Sequence, residues 1–247
     1  KRACMMALDP KSHWRQYLAA QKQLPKVEFD MRVAIAGSMT VEPLEPYLGA
    51  HLISKKFKPC IAVAPFNQLR QICHDYKQVL GRNDLDAIAL LWRVEDLFPD
   101  ILAACLDNPA AVEDLLRELK ELAGSVGRLR KSFNGTLIVS TPPYPLLPGF
   151  ELLDIRQALE GMAVFSAVLQ FWTQEIARLE RVRILDLHGL MLSLGTKHAH
   201  DSRKWLLYRQ PYTETFWQEI GRLLGRILTA EKISPKKCIA LDLDNTL

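Results

Sequence analysis

The stretch Arg32–Leu48, RVAIAGSMTVEPLEPYL, decides the fold. After its arginine, Arg32–Ala36 is continuously apolar rather than alternating. A strand of that kind is covered on both faces, as in the parallel sheets of α/β proteins. The turn Gly37-Ser38-Met39-Thr40 comes next. Leu44, Tyr47, Leu48, His51 and Leu52 then fall on one face of a helix. The couplet of apolar run and amphipathic segment recurs along the chain. Further runs are Pro59–Ala64, Ala87–Trp92, Thr136–Ser140 and Arg183–Leu187. The second helix shows Leu69, Ile72, Cys73, Tyr76 and Leu80 on one face. The third shows Val112, Leu115, Leu116, Leu119 and Leu122, opened by Asn108-Pro109 as cap and first-turn residue. The fourth starts at Asp154 with Gln157 at capping-box spacing and runs towards Glu180. The fifth carries Phe216, Trp217, Ile220, Leu223, Leu224, Ile227 and Leu228.

Alternating strands and helices predict a three-layer α/β/α, flavodoxin-like domain with a parallel five-stranded sheet over residues 31–228. Right-handed crossovers place helices on both faces, and the expected strand order is 2-1-3-4-5. Ligands of such sheets bind at the carboxyl ends of the strands, near the switch point beside strand one. Residues 1–30 are expected to be a helical extension, with Trp14, Tyr17 and Leu18 packing on the outside. The polar segment 229–237, TAEKISPKK, reads as a linker. Residues 238–247 then begin a different domain with a sixth strand. The chain stops directly after that strand, so it is expected to be a fragment.

Bulk properties narrow the function classes. The net charge of +4 comes from scattered Lys and Arg, with no stripe that would suit nucleic acid. A weakly basic surface suits an anionic substrate or an acidic carrier protein; scattered solvated charge is the plainer account. The five cysteines Cys4, Cys60, Cys73, Cys105 and Cys238 form no CxxC pair, which fits free thiols in a reducing cytoplasm. No apolar run approaches the roughly 20 residues of a membrane span. No signal peptide is visible, and neither a membrane nor a nucleic-acid partner is expected.

The sharpest chemical signal is Cys238–Leu247, CIALDLDNTL. An apolar strand ends in Asp242-Leu243-Asp244-Asn245-Thr246. Two carboxylates so spaced suit phosphoryl transfer: one attacks phosphorus and helps hold Mg²⁺, and the other moves the proton of the leaving oxygen. The second signal is Ser38, placed by its turn at the carboxyl end of strand one and before a helix. It is a candidate nucleophile or anion cradle, or simply a helix cap. Asp186-Leu187-His188, His198, His200 and Asp201 offer further titratable groups, none placed by sequence to reach Ser38. Cys238 lies four residues before Asp242, roughly 13 Å back along a strand, which favours a structural thiol.

The terminal string resembles the first motif of the haloacid-dehalogenase (HAD) superfamily. By that resemblance Asp242 is the nucleophile and a metal ligand. Asp244 is the general acid/base, with its backbone carbonyl on the metal, and Thr246 binds the transferred phosphoryl group. The surroundings of Ser38 resemble the first block of SGNH hydrolases, in which that Ser is the nucleophile. Such enzymes also carry an Asn after strand three and a DxxH near the domain end. Here Glu95 or Asp96 lies near the Asn position, and Asp186-Leu187-His188 is one residue short.

The departures have a pattern. GSMT, Ala64–Gln71 (APFNQLRQ), Leu90–Pro99 (LLWRVEDLFP), Asp201–Trp217 (DSRKWLLYRQPYTETFW) and the final motif together resemble the FkbH-like family of HAD subfamily IIIC. The resemblance implies a modified SGNH-hydrolase-like domain followed by a Mg²⁺-dependent HAD domain. It implies a phosphorylated three-carbon substrate, 1,3-bisphosphoglycerate, from which a glyceryl unit is dephosphorylated and loaded as a thioester on an acyl carrier protein in polyketide-type pathways. Two alternatives stay open: an SGNH-type esterase or acyltransferase using Ser38, and a non-catalytic carrier-docking domain.

Overall fold

The computed structural model describes residues 15, 17–19, 21, 22, 29–145 and 155–232. In chain order the elements are β1 (Met31–Gly37), α1 (Leu44–Ser54), β2 (Pro59–Val63), α2 (Leu69–Leu80), β3 (Ala87–Leu91), α3 (Val94–Leu97) and α4 (Pro99–Asp107). A short 3₁₀ turn, Pro109–Ala111, leads into α5 (Val112–Ser132). Then come β4 (Thr136–Ser140), α6 (Ile155–Ala177), β5 (Val182–Leu185), α7 (Leu187–Leu194), α8 (Thr196–Ala199), α9 (Ser202–Tyr208) and α10 (Glu214–Lys232). The five strands are all parallel in the order β2-β1-β3-β4-β5, as expected.

The unbroken apolar runs have a direct explanation. Alternate residues of the central strands enter two different cores. Ala34, Ala36, Ile88, Leu90, Leu137 and Val139 pack with α2, α5 and α6 residues such as Ile72, Leu119 and Trp172. Val33, Ile35, Ala87, Ala89, Leu91 and Ile138 pack on the opposite face with Leu48, Phe216, Trp217 and Ile220 of α1 and α10. Each fully buried Leu or Ile contributes roughly 1.5–3 kcal/mol, so a polar residue on either face of β1 or β3 would be strongly unfavourable.

On the second face α1 and α10 meet closely. A Cβ on Gly221 would lie 2.9 Å from the Leu48 nitrogen, and one on Gly225 would lie 2.3 Å from the His51 ring. The two glycines therefore set the approach of the helices. At the amino terminus Tyr17 is buried, its hydroxyl donates to Glu45 Oε1 at 3.0 Å, and Gly49 makes room for its ring. Leu18, expected to pack beside it, is exposed, and Trp14 lies outside the described residues.

Three expectations need correction. The runs at β2 and β5 read as buried on both faces, but these strands form the sheet edges, and Arg183 and Ile184 of β5 are exposed. Strand five was expected to reach Leu187. It ends at Leu185 because the Asp186 side chain accepts from the Gly189 N–H and starts a helix there. Asn108-Pro109 opens the 3₁₀ turn rather than the first turn of α5, with the Asn108 side chain accepting from the Ala110 N–H. The capping pair at Asp154 and Gln157 lies outside the described residues. Helix α10 continues through 229–232. The rest of 229–237 and the sixth strand lie outside the described residues.

Candidate functional site

The site grows from the ends of β1 and β3. Gly37 permits the sharp exit from β1: a Cβ there would lie 2.4 Å from Val41 Cγ1. The Ser38 N–H then donates to Leu91 O at 3.1 Å, tying the turn to β3. At the end of β3 the Trp92 and Trp172 indoles, stacked edge-on at 4.6 Å, both donate to Ser140 O at 3.0 Å. Ser140 Oγ accepts from the Trp92 N–H. This clamp fixes where Arg93 leaves the sheet.

Ser38 sits at the carboxyl end of β1, as expected, but it is only 1% exposed. Its hydroxyl donates to Asp96 Oδ2 at 3.0 Å and accepts from the Arg93 N–H at 3.1 Å; its remaining polar neighbour is Met39 Sδ at 3.6 Å. Of the two carboxylates read near the Asn position, it is Asp96 that reaches the serine. Glu95 pairs instead with Arg93, through both Nε and Nη2. Arg93 Nη1 lies 3.5 Å from Asp96 Oδ1, an ion pair rather than a hydrogen bond.

Arg93, Glu95 and Asp96 are thus three charged side chains sealed in the fold. Burial pushes the Asp96 carboxyl up to about 7, against the pull of Arg93. Burial also opposes charge on Arg93, but Glu95 and Asp96 outweigh it and hold the guanidinium protonated. His200, bridged to Tyr212, is lowered to about 4 by burial and by Arg93. Tyr212 is raised, again chiefly by burial. Arg93 Nη1, Glu95 Oε2, Asp96 Oδ1, His200 Nε2 and Tyr212 Oη have no hydrogen-bond partner among the described residues. An unsatisfied buried polar atom costs about 1–3 kcal/mol, so this cluster is an expensive feature of the fold. Over it lies Trp205 of α9, with the Arg93 guanidinium 4.5 Å and that of Arg209 5.0 Å from its ring centroid.

A second polar group lies at the ends of β4 and β5. Thr141 Oγ1 donates to Asp186 Oδ1 at 2.9 Å and accepts from the His188 N–H at 3.1 Å. The His188 ring packs 5.1 Å from Phe165. These residues line a cleft of about 530 Å³ with Ser166, Gln170 and Thr173. Because β1 and β5 are three strand spacings apart, roughly 14 Å, the structure does not bring His188 to Ser38. Asp186 serves as a helix cap. Asp201 likewise caps α9, accepting from the Lys204 N–H. The His198 carbonyl accepts from Thr213.

Arg93, Trp205, Arg209 and Tyr212 were not singled out from sequence. The available signal was WRVED, three charges directly behind a wholly apolar strand. Among the described residues no group of three or more His, Cys, Asp or Glu side chains could hold a metal ion. None of the described helices is long and apolar enough to cross a membrane. Asp242, Asp244, Thr246 and Cys238 lie outside the described residues.

No family model matches the chain, and no curated protein is significantly similar to it. Solved structures do share its fold. The N-terminal part of a Bacteroides fragilis protein containing a phosphatase domain, complexed with Mg, aligns over 96% of this chain at 19% identity with a TM-score of 0.71. This chain spans 60% of that structure's length. An extracellular lipase of Streptomyces rimosus aligns over 80% of this chain and 99% of its own, at 11% identity with a TM-score of 0.55. At these identities the likeness shows the fold alone, an α/β domain around an all-parallel five-stranded sheet.

Proposed function

We propose that this chain is the front part of an FkbH-like biosynthetic enzyme, with a phosphoryl-transfer centre that begins at Asp242. The observation that carries this reading is the string CIALDLDNTL standing behind a complete α/β domain. The fold likeness to a structure that contains a phosphatase domain supports it. In this reading Asp242 attacks phosphorus, Asp244 supplies the proton to the leaving oxygen and Thr246 holds the transferred group. The substrate is 1,3-bisphosphoglycerate: the thiol of an acyl carrier protein attacks its acyl carbonyl and expels the acyl phosphate, which forms the glyceryl thioester, and Asp242 removes the phosphate of the remaining ester. Asp242 and the backbone carbonyl of Asp244 would hold Mg²⁺, which would supply neutralisation of phosphoryl charge.

The α/β domain acts as a platform in this reading. Lys232, at the end of α10, donates to Asp30 O at 2.6 Å and pairs with Asp86 at 3.3 Å. Both partners precede strands, so the chain reaches the amino edge of the sheet, opposite Ser38. Phosphate release from a three-carbon phosphate ester such as 3-phosphoglycerate by the intact protein tests the reading. Asp242→Asn should abolish it in a folded protein, since an amide lacks the attacking anionic oxygen. Turnover like wild type in Asp242→Asn would remove the assignment.

A second reading, an SGNH-type esterase or acyltransferase, is favoured by one contact. Ser38 donates to a carboxyl poised near pH 7, which could accept its proton. Burial of Ser38 opposes it, as does the lack of any His among its polar partners in the described residues. A fluorophosphonate probe should leave Ser38 unlabelled; labelling lost in Ser38→Ala would favour the esterase.

A further inference from the structure

Helix α9 carries its apolar residues on the outside. It fully buries none of them: Leu206, Leu207 and Tyr208 are 75%, 61% and 62% exposed. Only Trp205 turns inward, between the guanidinium groups of Arg93 and Arg209. The helix is nevertheless firmly held. Asp201 caps it, and Thr40 donates through Oγ1 to Tyr208 O at 2.8 Å and through N to Arg209 O at 3.1 Å. A single exposed leucine is ordinary, whereas three successive large apolar residues on a fixed helix mark a contact surface.

The surrounding charge selects the occupant. Arg203 and Arg209 are exposed in the same segment, and among the described residues neither forms a salt bridge, although Arg209 stacks on Trp205 and lies close enough to Asp96 to favour its charged form. Lys204, by contrast, is matched by Asp201 and Glu214. A second copy of this chain would bring the same two positive charges to the contact. A lipid surface would favour an outward Trp, and Trp205 faces in. An apolar stripe flanked by carboxylates fits in both respects.

We propose that the outer face of α9, formed by Arg203, Leu206, Leu207, Tyr208 and Arg209, docks an acidic amphipathic helix of a partner protein. Resting on the function proposed above, that partner is the acyl carrier protein. Its helix lays an apolar stripe on Leu206 and Leu207, and its carboxylates meet Arg203 and Arg209.

The test is calorimetric titration of the intact protein with phosphopantetheinylated acyl carrier protein. The double variants Arg203→Glu/Arg209→Glu and Leu206→Glu/Leu207→Glu should each weaken binding at least tenfold. The milder Leu207→Ser should weaken it severalfold, and unfolding curves should match wild type for any variant used. Binding that these changes leave intact overturns the surface while sparing the carrier reading. Failure of wild type to bind overturns both. Self-association abolished by Leu206→Glu/Leu207→Glu, or adsorption to phosphatidylglycerol vesicles abolished by it, assigns the face to another occupant and overturns the proposal.

Discussion

The ends of β1 and β3 and the ends of β4 and β5 each carry a polar cluster on the same edge of one sheet, under opposite conditions. Around Ser38 the groups are sealed: Arg93 is 2% exposed, and its partners Glu95 and Asp96 are nearly as deep. Around His188 the groups line a cleft, with Thr141 and the His188 Nδ1 atom buried at its inner wall. The difference comes from position. Strands β1 and β3 are central, so the residues leaving them are covered from both sides. Strand β5 is an edge, and water reaches the residues just beyond its end. A charge buried at the first place must be matched by another charge, whereas a polar residue at the second needs only local hydrogen bonds.

The largest effect should come from Arg93→Met. It leaves Glu95 and Asp96 buried without their cation and should destabilise the domain by about 5 kcal/mol in urea unfolding, the upper range for breaking a buried ion pair. A loss below about 1 kcal/mol would mean that the cluster is wetter than its geometry indicates.

Next comes the pH dependence. The Asp96 carboxyl is raised from 3.8 to about 7, so its contribution is fully present below pH 3.8 and lost as pH rises to about 7. His200 is lowered from 6.5 to about 4, so its contribution is present above pH 6.5 and lost as pH falls to about 4. Between these limits the two slopes oppose each other. In Asp96→Asn the carboxyl slope disappears and stability should climb from pH 4 to 6.5. His200→Gln should show the reverse, falling from pH 4 to 7. The carboxyl contribution is on the order of 4 kcal/mol across its range. Parallel pH profiles for wild type and both variants would break the contrast between sealed and open clusters.

The open cluster should respond less. Asp186→Ala removes the cap of α7 and its bond from Thr141, and should cost about 1 kcal/mol in thermal unfolding. His188→Ala should change stability by no more than about 0.5 kcal/mol. A loss of several kcal/mol at His188 would show that the second cluster is as tightly built as the first.

The layers and strand order were legible because the central strands bury both faces, which forces unbroken apolar runs, and because the helices between them show a 3.6-residue period. The edge strands were misread for a related reason. A short apolar run looks the same whether a neighbour covers it on one side or on two, and Arg183 was too small a signal to separate the cases. Helix α7 was hidden because its boundary depends on one side-chain hydrogen bond at Asp186. Ser38 was placed correctly on its strand, since a Gly-Ser turn behind an apolar run fixes its position along the chain.

What the sequence determined by itself was local: periodicity, the turn at Gly37, and the order of residues at Asp242–Thr246 on which the phosphoryl-transfer proposal rests. Tertiary structure alone decided which groups meet. It brought Asp96, 58 residues away in sequence, onto the Ser38 hydroxyl and left His188 three strands away. It closed Trp205 over Arg93 and turned Leu206, Leu207 and Tyr208 outward. Burial, and with it the raised Asp96 carboxyl and the apolar face of α9, is a property of what surrounds a residue. That surrounding is assembled from segments far apart in the chain, so no stretch of sequence contains it.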